Sequence, residues 1–377
     1  MLFFAFYLIM PLLPIYLRDV YCADKQMIGI ALSGYTLFAL FIRPFSGYVV
    51  DSYSRKKVLM WCWFFFSTMF AGYFITGSLI IFAMIRTLHG APFGATTVAN
   101  STMMIDVLPS TRRTEGIGYY GLSNNLAMAI GPTVGLLLYS QLHNFDILFG
   151  SSLVVALGGF ALVGTIDSKS RAPVKGKRVV SLDRFFLLKG VPEGILIAAL
   201  SFGFGVISTY LAIYSHDVMH LSGGTGGWFA ILSAGLMLSR VIGGKSLREG
   251  KIVRNAGLGM SLSVFGYLLF VALPNEVGYF GAALIIGLGN GHMFPAVQNM
   301  FINLATNDRR GTANSSLLTM WDVGVGSGVV VGGAVSEHFG YSAAFWTAFV
   351  VNALGVLYFW LRVRSHFLKN RLTQIIH

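Results

Sequence analysis

Long apolar stretches alternate with short polar ones along the whole chain. The apolar stretches run roughly 1–17, 27–46, 58–77, 79–105, 116–140, 145–166, 191–214, 225–243, 255–273, 278–305, 313–335 and 342–361. A helix needs about 20 apolar residues to cross about 30 Å of hydrocarbon, and each stretch is near that length. A backbone in lipid must satisfy its own hydrogen bonds, so each is expected as a helix. The pattern therefore predicts an all-α membrane protein with twelve transmembrane helices. Composition agrees: 55% of residues are hydrophobic and only 11% charged, against about 25% charged in a soluble domain. Gly is frequent, 45 of 377 residues, which suits close helix–helix contact through small side chains.

The net charge is +12. On a soluble chain that would suggest nucleic acid; here topology accounts for it. With the N-terminus in the cytoplasm, 22 of the 27 Lys and Arg fall in cytoplasmic segments. Two, Arg18 and Lys25, fall in outer loops, and Arg43, Arg86 and Arg240 lie within helices. That is the positive-inside bias, and an even number of spans returns the C-terminus to the cytoplasm. No nucleic-acid partner is expected. Cys22 and Cys62 make no disulfide framework, and no metal-ligand spacing, Gly-x-Ser-x-Gly or Walker loop occurs. Neither a metal, a cofactor nor an enzymatic activity is expected. "GLGNGHM", 287–293, is Gly-rich but lies inside a predicted helix with no strand before it, which argues against a nucleotide site. The first stretch lacks the basic region of a signal peptide and is expected to stay as the first span. It begins at Met1 without a cytoplasmic lead, so a few preceding residues are expected to be missing.

The chain repeats itself at an offset of 197 residues. Arg43 falls on Arg240, Gly47 on Gly244, and Arg112 and Arg113 on Arg309 and Arg310. Gly90, Gly94, Gly131 and Gly135 fall on Gly287, Gly291, Gly328 and Gly332. Arg is scarce here, so its matches carry the repeat. One constant offset implies two six-helix bundles in parallel orientation, 1–166 and 191–377, joined by a basic cytoplasmic linker, 167–190. The second bundle ends in a short basic tail. Parallel repeats of this kind mark transporters whose substrate site lies between the repeats, near the bilayer midplane, and which work by alternating access.

"GYVVDSYSRKK", 47–57, follows the second predicted span and resembles the loop signature Gly-x-x-x-Asp-Arg-x-Gly-Arg-Arg/Lys of the major facilitator superfamily. Gly47, Asp51, Arg55 and Lys56 are in register; Ser52 and Ser54 replace the family's Arg and Gly. Physically, Gly47 lets a neighbouring backbone approach. Asp51 can meet the positive N-terminus of a helix from the other half. The cations at 55–57 can pair with acids such as Asp106. These groups are expected to form a conformational latch; the bland alternative is that the cations only set topology. At the offset position of Asp51 stands Arg248, so the latch would be asymmetric.

"RTLHG", 86–90, resembles the family's fourth-helix Arg-x-x-x-Gly motif. "AIGPTVG", 129–135, resembles its fifth-helix Gly-Pro-x-x-Gly motif, which is associated with antiporting exporters. "DVLPSTRRTEGIGYYG", 106–121, resembles the same region of bacterial drug:proton antiporters and arabinose-efflux-like exporters. Gly131 and Gly135 lie on one helix face, and Pro132 removes a backbone hydrogen bond. The three are expected to shape packing at a moving interface.

An ionisable residue at membrane depth is a functional candidate by default. Asp322 lies near the middle of a predicted span, where its offset partner is the neutral Asn125. It is either a proton carrier or a structural Asp neutralised by Trp321 or His292. Arg86 cannot deprotonate; the resemblance gives it a part in proton transfer or substrate anchoring, with snorkelling as the alternative. Many proton-coupled relatives carry an Asp in the first span, and this chain has none before Asp19, which moves the burden to Asp322. Glu193 is a further coupling candidate, or a helix cap. Arg43 and Arg240 are expected to snorkel, and His89 to pack. Candidates for the substrate path are Tyr35, Phe93, Asn124, Asn125, Phe202, Tyr210, Asn290, His292, Phe294, Gln298 and Trp321. This aromatic and sparsely polar set suits an amphiphilic organic compound better than a sugar.

The expected function is secondary active export of such a compound by proton antiport, driven by the proton gradient. The expected place is the bacterial cytoplasmic (inner) membrane, as a monomer among membrane lipid. Sugar export, or proton-coupled uptake by the same fold, is the alternative; a receptor or lipid scramblase of that fold is a further one.

Overall fold

Apolar side chains favour lipid or each other, and the backbone beneath them closes its hydrogen bonds as helix. The computed structural model describes residues 1–23, 25–109, 112–166, 185–221, 224–249 and 251–372. Every regular element among the described residues is helical. The α-helices are α1 Leu2–Ile9, α2 Leu13–Tyr21, α3 Lys25–Ser52, α4 Arg55–Gly72, α5 Leu79–Val107, α6 Arg113–Leu142 and α7 Phe145–Thr165. There follow α8 Val191–Ile213, α9 Gly224–Arg248, α10 Ile252–Ala272, α11 Glu276–Leu304, α12 Arg310–Tyr358 and α13 Arg364–Asn370. Among the described residues nine helices are long and apolar enough to cross a membrane, ten when the bent pair α1–α2 counts as one span.

Two spans depart from the expectation. The stretch 1–17 is not one straight helix: α1 and α2 meet at 42° across a short 3₁₀ turn, Met10–Leu12. Pro11 and Pro14 remove two backbone donors there, and proline inside a helix breaks it. The stretches 313–335 and 342–361 are two helices as expected, but no loop separates them: they meet at Gly340, where φ is +82°. Gly tolerates that value, so one residue makes the break.

The chain divides into two compact units. The first comprises Met1–Val107, Ser123–Phe186 and Asp308–Ser315; the second comprises Leu108–Leu122, Leu187–Asn307 and Ser316–His377. The first turns of α12 therefore pack with the first unit. Of the predicted linker 167–190, residues 167–184 lie outside the described residues, as do the side chains of Asn125 and Arg240.

Inside each unit the repeat recurs as packing. In the first, α3 crosses α5 so closely that a Cβ on Gly90 would strike the Tyr35 carbonyl. In the second, α9 crosses α11 the same way, Gly287 against the Leu232 carbonyl. The contacting residues are 197 apart in both cases. The aromatic cores match too: Tyr73 packs on Phe82 with ring centroids 5.5 Å apart, and Phe270 packs on Tyr279 at 5.8 Å. Gly131 and Gly135 receive α1, with Tyr7 Cβ 2.9 Å from a Cβ built at Gly131 and the Leu8 carbonyl against Gly135. Arg43 does not snorkel: only 6% of it is exposed.

Candidate functional site

The end of α3 meets the first turn of α12. The first N–H groups of a helix have no partner within it, and they carry the positive end of its dipole. Asp51, the penultimate residue of α3, supplies both acceptors and charge. It accepts from the backbone N–H of Gly311 at 2.8 Å and of Thr312 at 2.7 Å, and from the Thr312 hydroxyl at 2.9 Å. Two glycines permit this approach. A Cβ on Gly47 would lie 2.9 Å from the Gly311 carbonyl, and one on Gly311 would lie 2.8 Å from the Gly47 carbonyl.

A chain of alternating charges continues from Asp51. Arg55 donates to Asp51 at 3.2 Å and pairs with Asp106, whose other oxygen accepts from Arg310 at 3.1 Å. These side chains are 7–20% exposed. At that burial each charge needs its partner, because an unpaired charge out of water is costly. Asn314 adds a hydrogen bond to Ser101 of α5. Lys56 goes elsewhere: instead of an acid it donates to the carbonyls of Gly164 at 3.1 Å and Ile166 at 2.6 Å, at the C-terminus of α7. A cation at a helix C-terminus is worth about 0.3–1 kcal/mol. Lys56→Ala is accordingly expected to lower thermal stability slightly and leave transport near wild type, as read in liposome uptake and a melting curve.

A second polar cluster lies on α5. Arg86 is 3% exposed. Its guanidinium carbon is 3.9 Å from the centroid of the Tyr35 ring and 5.6 Å from that of Phe6. It donates to the Tyr73 hydroxyl at 3.1 Å, which in turn bonds His89 Nδ1 at 2.9 Å. Phe6, Tyr35 and Phe93 form one aromatic wall, with centroid separations of 4.9–5.3 Å. Snorkelling is excluded by this burial.

The second unit holds Asp322, half-buried on α12 and about 18 Å along it at 1.5 Å per residue. Its neighbour Trp321 is fixed by the Ser201 hydroxyl, which donates to the Trp321 carbonyl at 2.9 Å, and by Phe294, packed edge-on at 5.2 Å. Glu193 is fully buried near the start of α8 and meets His366 Nδ1 of α13 at 2.9 Å. It stands in the first turn of α8, where a carboxylate suits the helix N-terminus, and the N-cap residue itself is Gly190.

The remaining path candidates scatter. Tyr35 and Phe93 join the Arg86 cluster, and Phe294 packs on Trp321, which precedes Asp322 in the chain. Tyr210 donates to the Val329 carbonyl at 2.7 Å, and Asn290 accepts from Ser263 at 3.1 Å. Phe202, His292 and Gln298 are buried, and Asn124 is half-buried. Tyr73, Arg310, Thr312 and His366 had no place among the sequence candidates. For Arg310 the offset match of Arg113 was an available signal; for Thr312 there was none, since its main contact is a backbone N–H.

Known proteins resemble the chain over nearly its whole length. The sequence profile of the Major Facilitator Superfamily matches residues 1–327 and again 256–374. A multidrug resistance protein, MdtG of Serratia proteamaculans, is 26% identical over 94% of this chain and 89% of its own length. The quinolone resistance protein NorA of Staphylococcus aureus is 22% identical over 89% of this chain and 87% of its own. The solved structure of FucP, a major facilitator transporter in the outward conformation, superposes with a TM-score of 0.77 at 15% identity, covering 97% of this chain and 96% of FucP. The profile match, the two efflux relatives and the shared fold lead to one assignment: this chain is a multi-pass membrane transporter of the major facilitator superfamily.

Proposed function

We propose that the protein exports a small amphiphilic organic compound by proton antiport, working by alternating access in the cytoplasmic membrane of a bacterium. The observation that carries the moving-carrier reading is the grip of Asp51 on the first turn of α12. Beyond Ser315 that helix belongs to the second unit, so a cap that forms in one state and breaks in another would couple the units. The efflux relatives favour export over uptake.

The reading includes twelve spans with both termini cytoplasmic. It counts α1–α2 as one bent span, divides α12 at Gly340 and adds the 25-residue α9 to the helices already long and apolar enough. The bundles are those of residues 1–166 and 191–377, with 167–190 as the linker, and the molecule acts as a monomer.

Asp322 is the proposed proton carrier, because an ionisable residue partway along a spanning helix is a functional candidate by default. Arg86 and Glu193 are the further proposed contributors to coupling. The test is proton flux in liposomes whose acidic lumen holds a pH-sensitive dye, with a panel of lipophilic cations, sugars and acids added outside. Wild type is expected to release protons when its substrate is added, and Asp322→Asn to fall to the rate of protein-free liposomes. Substrate-triggered release that persists in Asp322→Asn would remove the carrier role.

A further inference from the structure

The polar cluster around Arg86 is not something this fold needs. At the offset positions of Tyr73, Arg86 and His89 the second unit places Phe270, Ala283 and Ile286, all buried. The same helix crossing and the same aromatic core are built there without a charge. Arg86 is thus an extra, and a costly one, since a buried guanidinium ordinarily comes with a carboxylate that it grips in bidentate fashion.

Among the described residues Arg86 forms no ion pair with a carboxylate. Asp19, Asp51, Asp106, Glu115 and Asp146 all lie within two residues of a helix end, and Asp24 lies outside the described residues. Arg86 is seven residues into α5, about 10 Å from its start at 1.5 Å per residue. Aromatic faces compensate a cation only in part. Arg86 Nε and the Tyr35 hydroxyl are both buried with no hydrogen-bond partner among the described residues. Two unused donors and an uncompensated positive charge thus stand against an aromatic wall.

We infer that Arg86 receives the anionic group of the transported compound, and that the substrate class is an amphiphilic organic anion with an aromatic body. Its carboxylate, or another compact oxyanion, takes Arg86 Nε and the Tyr35 hydroxyl, and its rings lie along Phe6 and Phe93. Entry requires the Tyr35 ring to swing off the guanidinium it covers at 3.9 Å. Only the ring is free to move, because the Tyr35 backbone is pressed against Gly90 of the same helix that carries Arg86. A lipophilic cation is disfavoured at this cluster by like charge. The inference rests on the exporter reading only in taking the bound anion to be the cargo.

The test compares three matched probes: 1-naphthoate, its neutral carboxamide and 1-naphthylmethylammonium. Binding to purified protein is measured by titration calorimetry and by thermal shift. Naphthoate is expected to bind wild type and raise its melting temperature, with the carboxamide and the ammonium weaker by about tenfold or more, the scale of a lost charge-assisted contact. Arg86→Gln is expected to lose naphthoate binding by a similar factor, with Arg86→Lys between the two. Without ligand, Arg86→Gln should melt no lower than wild type, since the second unit is neutral at this position. Naphthoate that does not bind, an ammonium that binds as well, or binding that Arg86→Gln leaves unchanged would each overturn the proposal. The two readings part in liposomes. Naphthoate binding without naphthoate-triggered proton release would leave the anion site standing and remove the antiport. Proton release triggered by the ammonium alone would do the reverse.

Discussion

Asp51→Ala is expected to abolish transport while leaving a folded, inserted protein. The carboxylate accepts three hydrogen bonds from Gly311 and Thr312 and pairs with Arg55. A hydrogen bond to a charged group contributes roughly 1.5–3 kcal/mol. Loss of one such bond at the upper end already shifts a two-state equilibrium by about 100-fold. Removal of all three also leaves two helix N-terminal N–H groups buried without an acceptor. Asp51→Asn should fare little better. Its amide keeps the shape and one oxygen, but it loses the charge and turns an NH₂ group toward donors. Transport in liposomes gives the first readout. The second is thiol labelling of Ser315→Cys in a background without Cys22 and Cys62; Ser315 is fully buried against Gly47. Asp51→Ala should raise labelling there. Wild-type transport with unchanged labelling would mean that the cap does not hold this segment.

The helices were legible because lipid imposes one requirement, a run of apolar residues, and the sequence meets it repeatedly. Bends within a run were less so. Leu2–Tyr21 is apolar through its turn, and only Pro11 and Pro14 mark it. The opposite error occurred near Gly340, where Ser336, Glu337 and His338 read as a loop but the helix continues to a single-residue break. Repeat and packing stood on firmer ground, since several glycines found by the offset, among them Gly90, Gly94, Gly287 and Gly328, are positions at which backbones touch. The Asp51 cap was half legible. The type of partner, a helix N-terminus, follows from charge and dipole; its identity does not, because backbone donors leave no mark in a sequence. For Arg86 the missing piece was Tyr73, which comes from the end of another helix. The offset comparison carries a hint of it, a tyrosine and a phenylalanine exchanged between the halves at 73 and 270, and at 82 and 279.

Gly90→Val and Gly287→Val are expected to be strongly destabilising changes outside that cap. At each position the new Cβ would overlap a main-chain carbonyl, of Tyr35 or of Leu232. A side chain in the way can change rotamer, whereas a carbonyl inside a helix can move only with the helix. Overpacking usually costs about 1–3 kcal/mol, and with backbone on both sides the upper end is expected. Folded yield and melting temperature in detergent should fall alike for the two variants, because the crossings are the same. Gly150→Ala is the matched control, with only the Phe74 ring edge 3.7 Å from the added carbon, and should melt with wild type. The two valine variants should differ in one respect. Separating α3 from α5 also carries the Tyr35 ring away from Arg86, whereas α9 and α11 bear no such pair. A surviving fraction of Gly90→Val should therefore bind naphthoate weakly, while a surviving fraction of Gly287→Val binds it as wild type does. Equal melting of all four proteins would show that neither crossing is as close as the glycines imply.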